Sequence, residues 1–103
     1  MTTIWISFRI AKKDASGKTY QQRYDALVDA VKEISDTFWE ETTSFIIFET
    51  DTDFNVAASL FKAKISPACD LFLMRKMDSK KAAICGKNDD DDVYDLMPYL
   101  DIL

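Results

Sequence analysis

The side chains able to do chemistry in this chain of 103 residues are few in kind, and histidine is missing altogether. Its absence removes the commonest general base and the commonest transition-metal ligand. Cys69 and Cys85 are too few for a zinc site, and both stand in apolar runs, CDLFLM and AAIC, where small buried free thiols are expected. Catalysis would therefore rest on carboxylates, lysine, tyrosine or a hard metal. The carboxylates are unevenly spread: residues 88–103 hold six aspartates and no base, whereas residues 1–87 hold 13 basic and 12 acidic side chains. The net charge of −5 thus belongs to the tail. Its NDDDD run lacks the alternating ligands, central glycine and distal glutamate of a calcium loop, and suits the positive end of a helix instead. No cofactor is expected.

The cations fall in two groups. Lys12, Lys13 and Lys18 bracket the first loop, and Arg75, Lys76, Lys80 and Lys81 surround a later hairpin. They would form a phosphate-binding surface only if the two loops converge; otherwise they are solvated. An acidic tail folded over them would act as a nucleic-acid mimic. Tyr20, Tyr24 and Trp39 have the chemistry to stack on bases, but their spacing places them first in a core or an interface. Arg9 is the most pointed cation, because it closes the strand-like stretch IWISFRI, in which Ile4, Ile6, Phe8 and Ile10 alternate with Trp5, Ser7 and Arg9.

The elements that must position these residues are legible in the periodicity. A content of 48% apolar residues with two glycines and two prolines predicts one compact domain. No apolar run approaches the ~20 residues of a membrane span, and MTTIWISFRIAKKD has no leader pattern, so a cytoplasmic protein without a membrane partner is expected. After the first strand comes a loop around Gly17. TYQQRYDALVDAVKEIS then carries Tyr20, Tyr24, Leu27, Val28, Val31 and Ile34 at helical spacing behind a Thr19–Gln22 capping box. TFWEETTSFIIFET predicts a hairpin, with strands near 37–41 and 44–50. A second helix opens at Asp51, Thr52 or Asp53, buries Val56, Ala57, Leu60 and Phe61, and stops before Pro67. CDLFLMRKM and KKAAICG predict another strand pair. In the tail, Val93, Leu96, Met97 and Leu100 predict a short helix that Pro98 ends or kinks.

With right-handed crossovers, this order gives an α+β, ferredoxin-like βαββαβ(β) antiparallel sheet over residues 1–87, with two helices on one face. Residues 88–103 are an acidic extension packed on the same domain. The other face would leave Trp5 and one side of FIIF uncovered, and apolar surface of that kind predicts a homodimer through the open sheet face.

The combination of IWISFRI, KTYQQRYDALVDAVKEI, Trp39, TTSFIIFET and CDLFLM resembles the SinR-like members of the superfamily that contains the small CRISPR adaptation subunit and the VapD toxins. In that family a strand ends in Ser-Tyr-Asp, a helical tyrosine precedes an Ala-Leu or Ala-Ile step, a tryptophan precedes a Ser/Thr-rich strand, and an aspartate opens the fourth strand. The matching positions are Ser7-Phe8-Arg9, Tyr24-Asp25-Ala26-Leu27, Trp39 with Thr42-Thr43-Ser44, and Asp70. The resemblance covers roughly residues 3–86. It implies a dimeric fold in which the first-strand aspartate of each subunit gathers a divalent metal at the two-fold axis for nuclease chemistry.

That position is Arg9, and a permanently cationic fork removes a hard oxygen ligand and repels the metal. The resemblance therefore implies a non-catalytic dimeric binding or regulatory module, with a metal-dependent endonuclease or ribonuclease toxin using Asp14, Asp70 or Asp51 as the alternative. For Arg9 the first expectation is a cross-strand pair with Asp70; the second is bidentate capture of a phosphate or carboxylate.

Overall fold

A computed structural model describes all 103 residues, and its order of elements follows from the patterns above. Strand β1 (Thr2–Arg9) leads through a loop to helix α1 (Tyr20–Glu33); strands β2 (Thr37–Trp39) and β3 (Phe45–Thr50) form a hairpin. Helix α2 (Phe54–Lys62), strands β4 (Leu71–Lys76) and β5 (Ala82–Gly86), helix α3 (Asp92–Leu96) and strand β6 (Leu100–Ile102) complete the chain. The six strands make one sheet in the order β2-β3-β1-β4-β5-β6, antiparallel throughout except for the parallel β5–β6 pair. The fold is α+β with a mixed sheet.

Helix α1 starts where its chemistry dictates. The Thr19 hydroxyl accepts from the Gln22 amide, and the Gln22 side chain accepts from the Thr19 amide. Asp53 caps α2 by accepting from the Asn55 and Val56 amides. The buried face of α2 is Phe54, Ala57, Ala58 and Phe61, while Val56 is 59% exposed, contrary to its expected place in the stripe. Phe54 sets the helical phase: positions 54, 57, 58 and 61 lie on one side, and Val56 falls about 160° from Ala58's line of contact.

Ile4, Ile6 and Phe8 on β1, Ile46 and Phe48 on β3, and Phe72 and Met74 on β4 all point to the face that α1 and α2 cover, and they join an 18-residue apolar core. Phe61 sits edge-on between Phe48 and Phe72, at ring distances of 5.9 and 6.5 Å. Both helices thus lie on one side of the sheet.

The tail departs from expectation. Its helix ends at Leu96, because Met97, next to Pro98, takes a non-helical backbone (φ −130°, ψ 72°) and proline has no amide to continue the ladder. Leu100 then joins β6 instead of a helical stripe, beside Ala82. A parallel strand must start at the same end as its neighbour, so the chain returns along the length of the sheet after leaving β5. Ala82 and Ile84 point away from the main core yet are only 0% and 4% exposed, and Tyr99 lies 5.3 Å from the Arg75 guanidinium. The crossover therefore lies over the β4–β5 side of the face opposite the helices. A Lys81–Asp101 ion pair of 2.9 Å ties down its end.

Candidate functional site

Arg9 and Asp70 lie near one another in the sheet but do not pair. In register Arg9 stands opposite Leu71, and both project from the helix-free face. Asp70, immediately before β4, turns inward and is fully buried. Period-two alternation separates them: the residue that would bring the carboxylate to Arg9 is Leu71, not Asp70. Arg9 is exposed, and its Nη2 donates to the Lys87 carbonyl at 2.8 Å.

The partner of Asp70 is Arg23, on α1. The Arg23 Nε donates to Oδ2 at 2.9 Å and Nη2 to Oδ1 at 3.3 Å, with both side chains 1% exposed or less. The remaining bonding capacity of the pair is filled by backbone and by the Cys69 thiol, which donates to Asp70 Oδ1 at 3.6 Å. Arg23 donates to the carbonyls of Ala11, Lys13 and Lys18, and Asp70 accepts from the amides of Ala11 and Ser66. The pair thereby holds the first loop, α1 and the α2–β4 connection together.

Hydrogen bonding to Asp70 raises the Arg23 guanidinium above its ordinary value against the opposing effect of burial. Burial pushes the Asp70 carboxyl up, but the bonds from Arg23, Ser66 and Ala11 outweigh it and hold the group below the usual carboxylate range. Gly86, at φ +115°, passes so close to the Asp70 carbonyl that any Cβ there would collide with it, and the neighbouring Lys87 amide donates to that same oxygen. Nothing in this cluster is free to act on a ligand.

Arg23 escaped the sequence reading, although its signal was present. It falls inside the Tyr20–Leu27–Ile34 stripe, one residue from Tyr24, and an arginine in phase with a buried stripe needs a buried acceptor.

The two basic groups do not converge. Lys12, Lys13 and Lys18 lie beyond the C-terminal end of β1, whereas the β4–β5 turn with Lys80 and Lys81 lies beside its N-terminal end, where Lys76 pairs with Ile4. Eight residues of extended chain, roughly 25 Å at the usual rise, separate them. Lys76 faces the helices, Arg75 is engaged by the Ser79 carbonyl and Tyr99, and Lys81 by Asp101. One phosphate surface built from both groups is thus ruled out within a single chain. The tail engages Arg75 and Lys81 of the hairpin group.

The aspartates named as substitute ligands do not assemble into one site, although Asp14 lies near enough to the Arg23–Asp70 pair to help raise Arg23. Asp70 is consumed by Arg23, Asp14 lies in the loop after β1, and Asp51 follows β3 at the opposite end of the sheet. No three Asp, Glu or Cys side chains are gathered as a metal would require. Cys69 and Cys85 are free thiols; Cys85 is buried and burial pushes its thiol up. Tyr20 and Tyr24 pack on the core beside Phe8, not on an open surface.

What remains uncovered is the sheet face opposite the helices, from β2 to β4. β1 contributes Trp5, Ser7 and Arg9, and β3 contributes Phe45, Ile47 and Glu49. Trp39 on β2 and Leu71 and Leu73 on β4 flank them. Trp5 stacks on Phe45 at 6.0 Å, Trp39 meets the same ring edge-on at 6.4 Å, and shallow grooves of about 210 and 220 Å³ lie beside Arg9 and Trp39. Both tryptophans of the chain and Arg9 are on this uncovered face, with none of its ten lysines; Arg75 points to the same side but is covered by Tyr99. Tryptophan and arginine enriched, lysine and aspartate depleted, is the composition of a protein–protein interface core. No helix is long and apolar enough to cross a membrane.

Comparison of the chain with protein-family models, with curated proteins and with solved structures gave no match.

Proposed function

We propose that the chain is a non-catalytic, homodimeric binding or regulatory module of ferredoxin-like topology, related to the superfamily of the CRISPR adaptation subunit and the VapD toxins. The order β2-β3-β1-β4, with both helices on one side, supports the topology. The single observation that carries the function is the uncovered aromatic face from β2 to β4. A monomer would leave Trp39 45% exposed and Trp5, Phe45 and Ile47 half-buried in one continuous patch, which is unusual unless a partner covers it. Arg9, at the edge of that patch, stands where the resembling family holds a metal-binding aspartate, Asp70 is consumed by Arg23, and Asp51 lies at the opposite end of the sheet, which supports a module that binds rather than cleaves.

Light scattering coupled to size exclusion tests it. The native chain is expected at twice its 11.8 kDa mass, and Trp5→Glu at the single-chain mass with an unchanged far-ultraviolet spectrum. A native chain that stays monomeric at about 100 μM, a weak-complex concentration on the affinity scale, sinks the proposal.

A further inference from the structure

The uncovered face is not symmetric. On one side it is bounded by the crossover between β5 and β6, whose Tyr99 reaches Arg75 beside the covered Ala82 and Ile84; on the other it ends at the bare edge strand β2. Two facing sheets pack about 10 Å apart, a gap that side chains alone fill, and a helix is itself about 10 Å across. Two crossovers cannot lie over one another in that gap. This steric fact restricts how a second copy can sit.

A two-fold axis relating two facing sheets lies in the plane between them, either across the strands or along them. An axis across the strands sets each strand over its own counterpart, and so sets crossover on crossover. An axis along the strands reverses the strand order, and when it runs along β3 each crossover passes outside the other copy's β2. The same operation leaves the rows of the sheet in step. Trp5, Ile47 and Trp39 share one row, because Trp5 pairs with Ile47 and Ile47 with Trp39.

Building on the homodimer proposed above, we infer that two copies pack with the two-fold axis along β3. Ile47 then meets Ile47, Trp5 of each copy meets Trp39 of the other, and Arg9 of each reaches Glu41 of the other. Trp5 and Trp39 lie one strand to either side of β3, so reversal exchanges them. Arg9 and the 40–44 turn lie at the same end of the sheet, where the Phe8 amide donates to the Ser44 carbonyl, and reversal brings that turn over β1. Charge agrees with shape. Arg9 has no carboxylate partner within the chain, and Glu41 is exposed and unpaired, whereas Glu40 is taken by Lys32 at 2.9 Å. An axis moved to β1 would set Arg9 against Arg9.

The alternative axis, across the strands, carries Arg9 to the opposite end of the other copy, where Glu49 stands opposite Thr3. Two glutamates therefore report the two arrangements. Sedimentation of full-length variants over a concentration series distinguishes them. Arg9→Glu is expected to weaken self-association about tenfold, since like charges meet twice at the rim. Adding Glu41→Arg is expected to restore the native constant to within about threefold, and adding Glu49→Arg to leave it weak. Restoration by Glu49→Arg, or by neither change, overturns the β3 axis while leaving the open-face dimer intact if Trp5→Glu still separates the copies. A native chain that never associates overturns both. Arg9 and Glu41 are exposed, so these variants test pairing without jeopardising folding.

Discussion

Arg23 and Arg9 belong to the same end of one sheet, yet their surroundings are opposite. Arg23 projects from α1 into the interior, where a carboxylate and three carbonyls take its donors; Arg9 projects from β1 into the open, with one carbonyl as its neighbour. A buried guanidinium must be saturated, because each unmet donor keeps the full cost of leaving water, whereas an exposed one is free to await a partner. The difference divides the molecule into a sealed half that fixes the fold and an uncovered half that the chain itself leaves open.

The largest effect on that contrast comes from breaking the sealed half. Arg23→Met is expected to cost about 3–5 kcal/mol in urea unfolding, because it strands the Asp70 carboxylate and three loop carbonyls in the interior. Replacing both partners, as Arg23→Met with Asp70→Leu, is not expected to recover the loss. In some proteins an apolar substitute for a buried pair is neutral, but here the amides of Ala11 and Ser66 would still lose their acceptor. A double variant as stable as the native chain would show that the pair is dispensable packing.

Titration sharpens the same contrast at a smaller scale. The folded-state carboxyl of Asp70 lies below its unfolded value, so the unfolded chain binds its proton first as the pH falls. The stability owed to Asp70 is complete above the ordinary aspartate value of about 4 and drains away as the pH descends from there towards the folded value. Asp70→Asn is therefore expected to be less stable at pH 7 and to have a shallower acid limb, the two curves converging at low pH. Parallel curves would assign the acid response to other carboxylates.

The sealed and uncovered halves were also unequally legible in the amino-acid sequence. The existence and starts of the helices were readable, since the Thr19–Gln22 box and the Asp53 cap are local chemistry that survives in three dimensions, whereas the phase of α2 was misjudged at Val56, because Phe54 turns the buried face towards Ala58. The face that Trp5 and Arg9 share was readable from alternation alone. The Arg9–Asp70 pairing expected from proximity failed because a one-residue offset in a strand means the opposite side of the sheet; Leu71 holds the position that the carboxylate would have needed. Strand β6 was missed because three residues carry almost no periodic signal, and its pairing depends on β5, not on its own sequence. The separation of the lysine groups required the topology: loops that follow and precede the same strand direction lie at opposite ends of it, and only the strand order says which are neighbours.

The smallest expected effect is at Arg9 itself. Arg9→Ala removes one exposed hydrogen bond to the Lys87 carbonyl, which water replaces, so the unfolding free energy of the chain held dilute enough to be monomeric is expected to change by about 0.5 kcal/mol or less. The same substitution is expected to weaken self-association, with a midpoint of dissociation that moves to higher concentration. The two readouts separate the halves of the molecule at a single residue. Arg23 is expected to act on stability whether or not a second copy is present, and Arg9, in the proposed dimer, only when one is. A large loss of monomer stability in Arg9→Ala would place it in the sealed half after all, as a clamp on the Gly86–Lys87 end of β5.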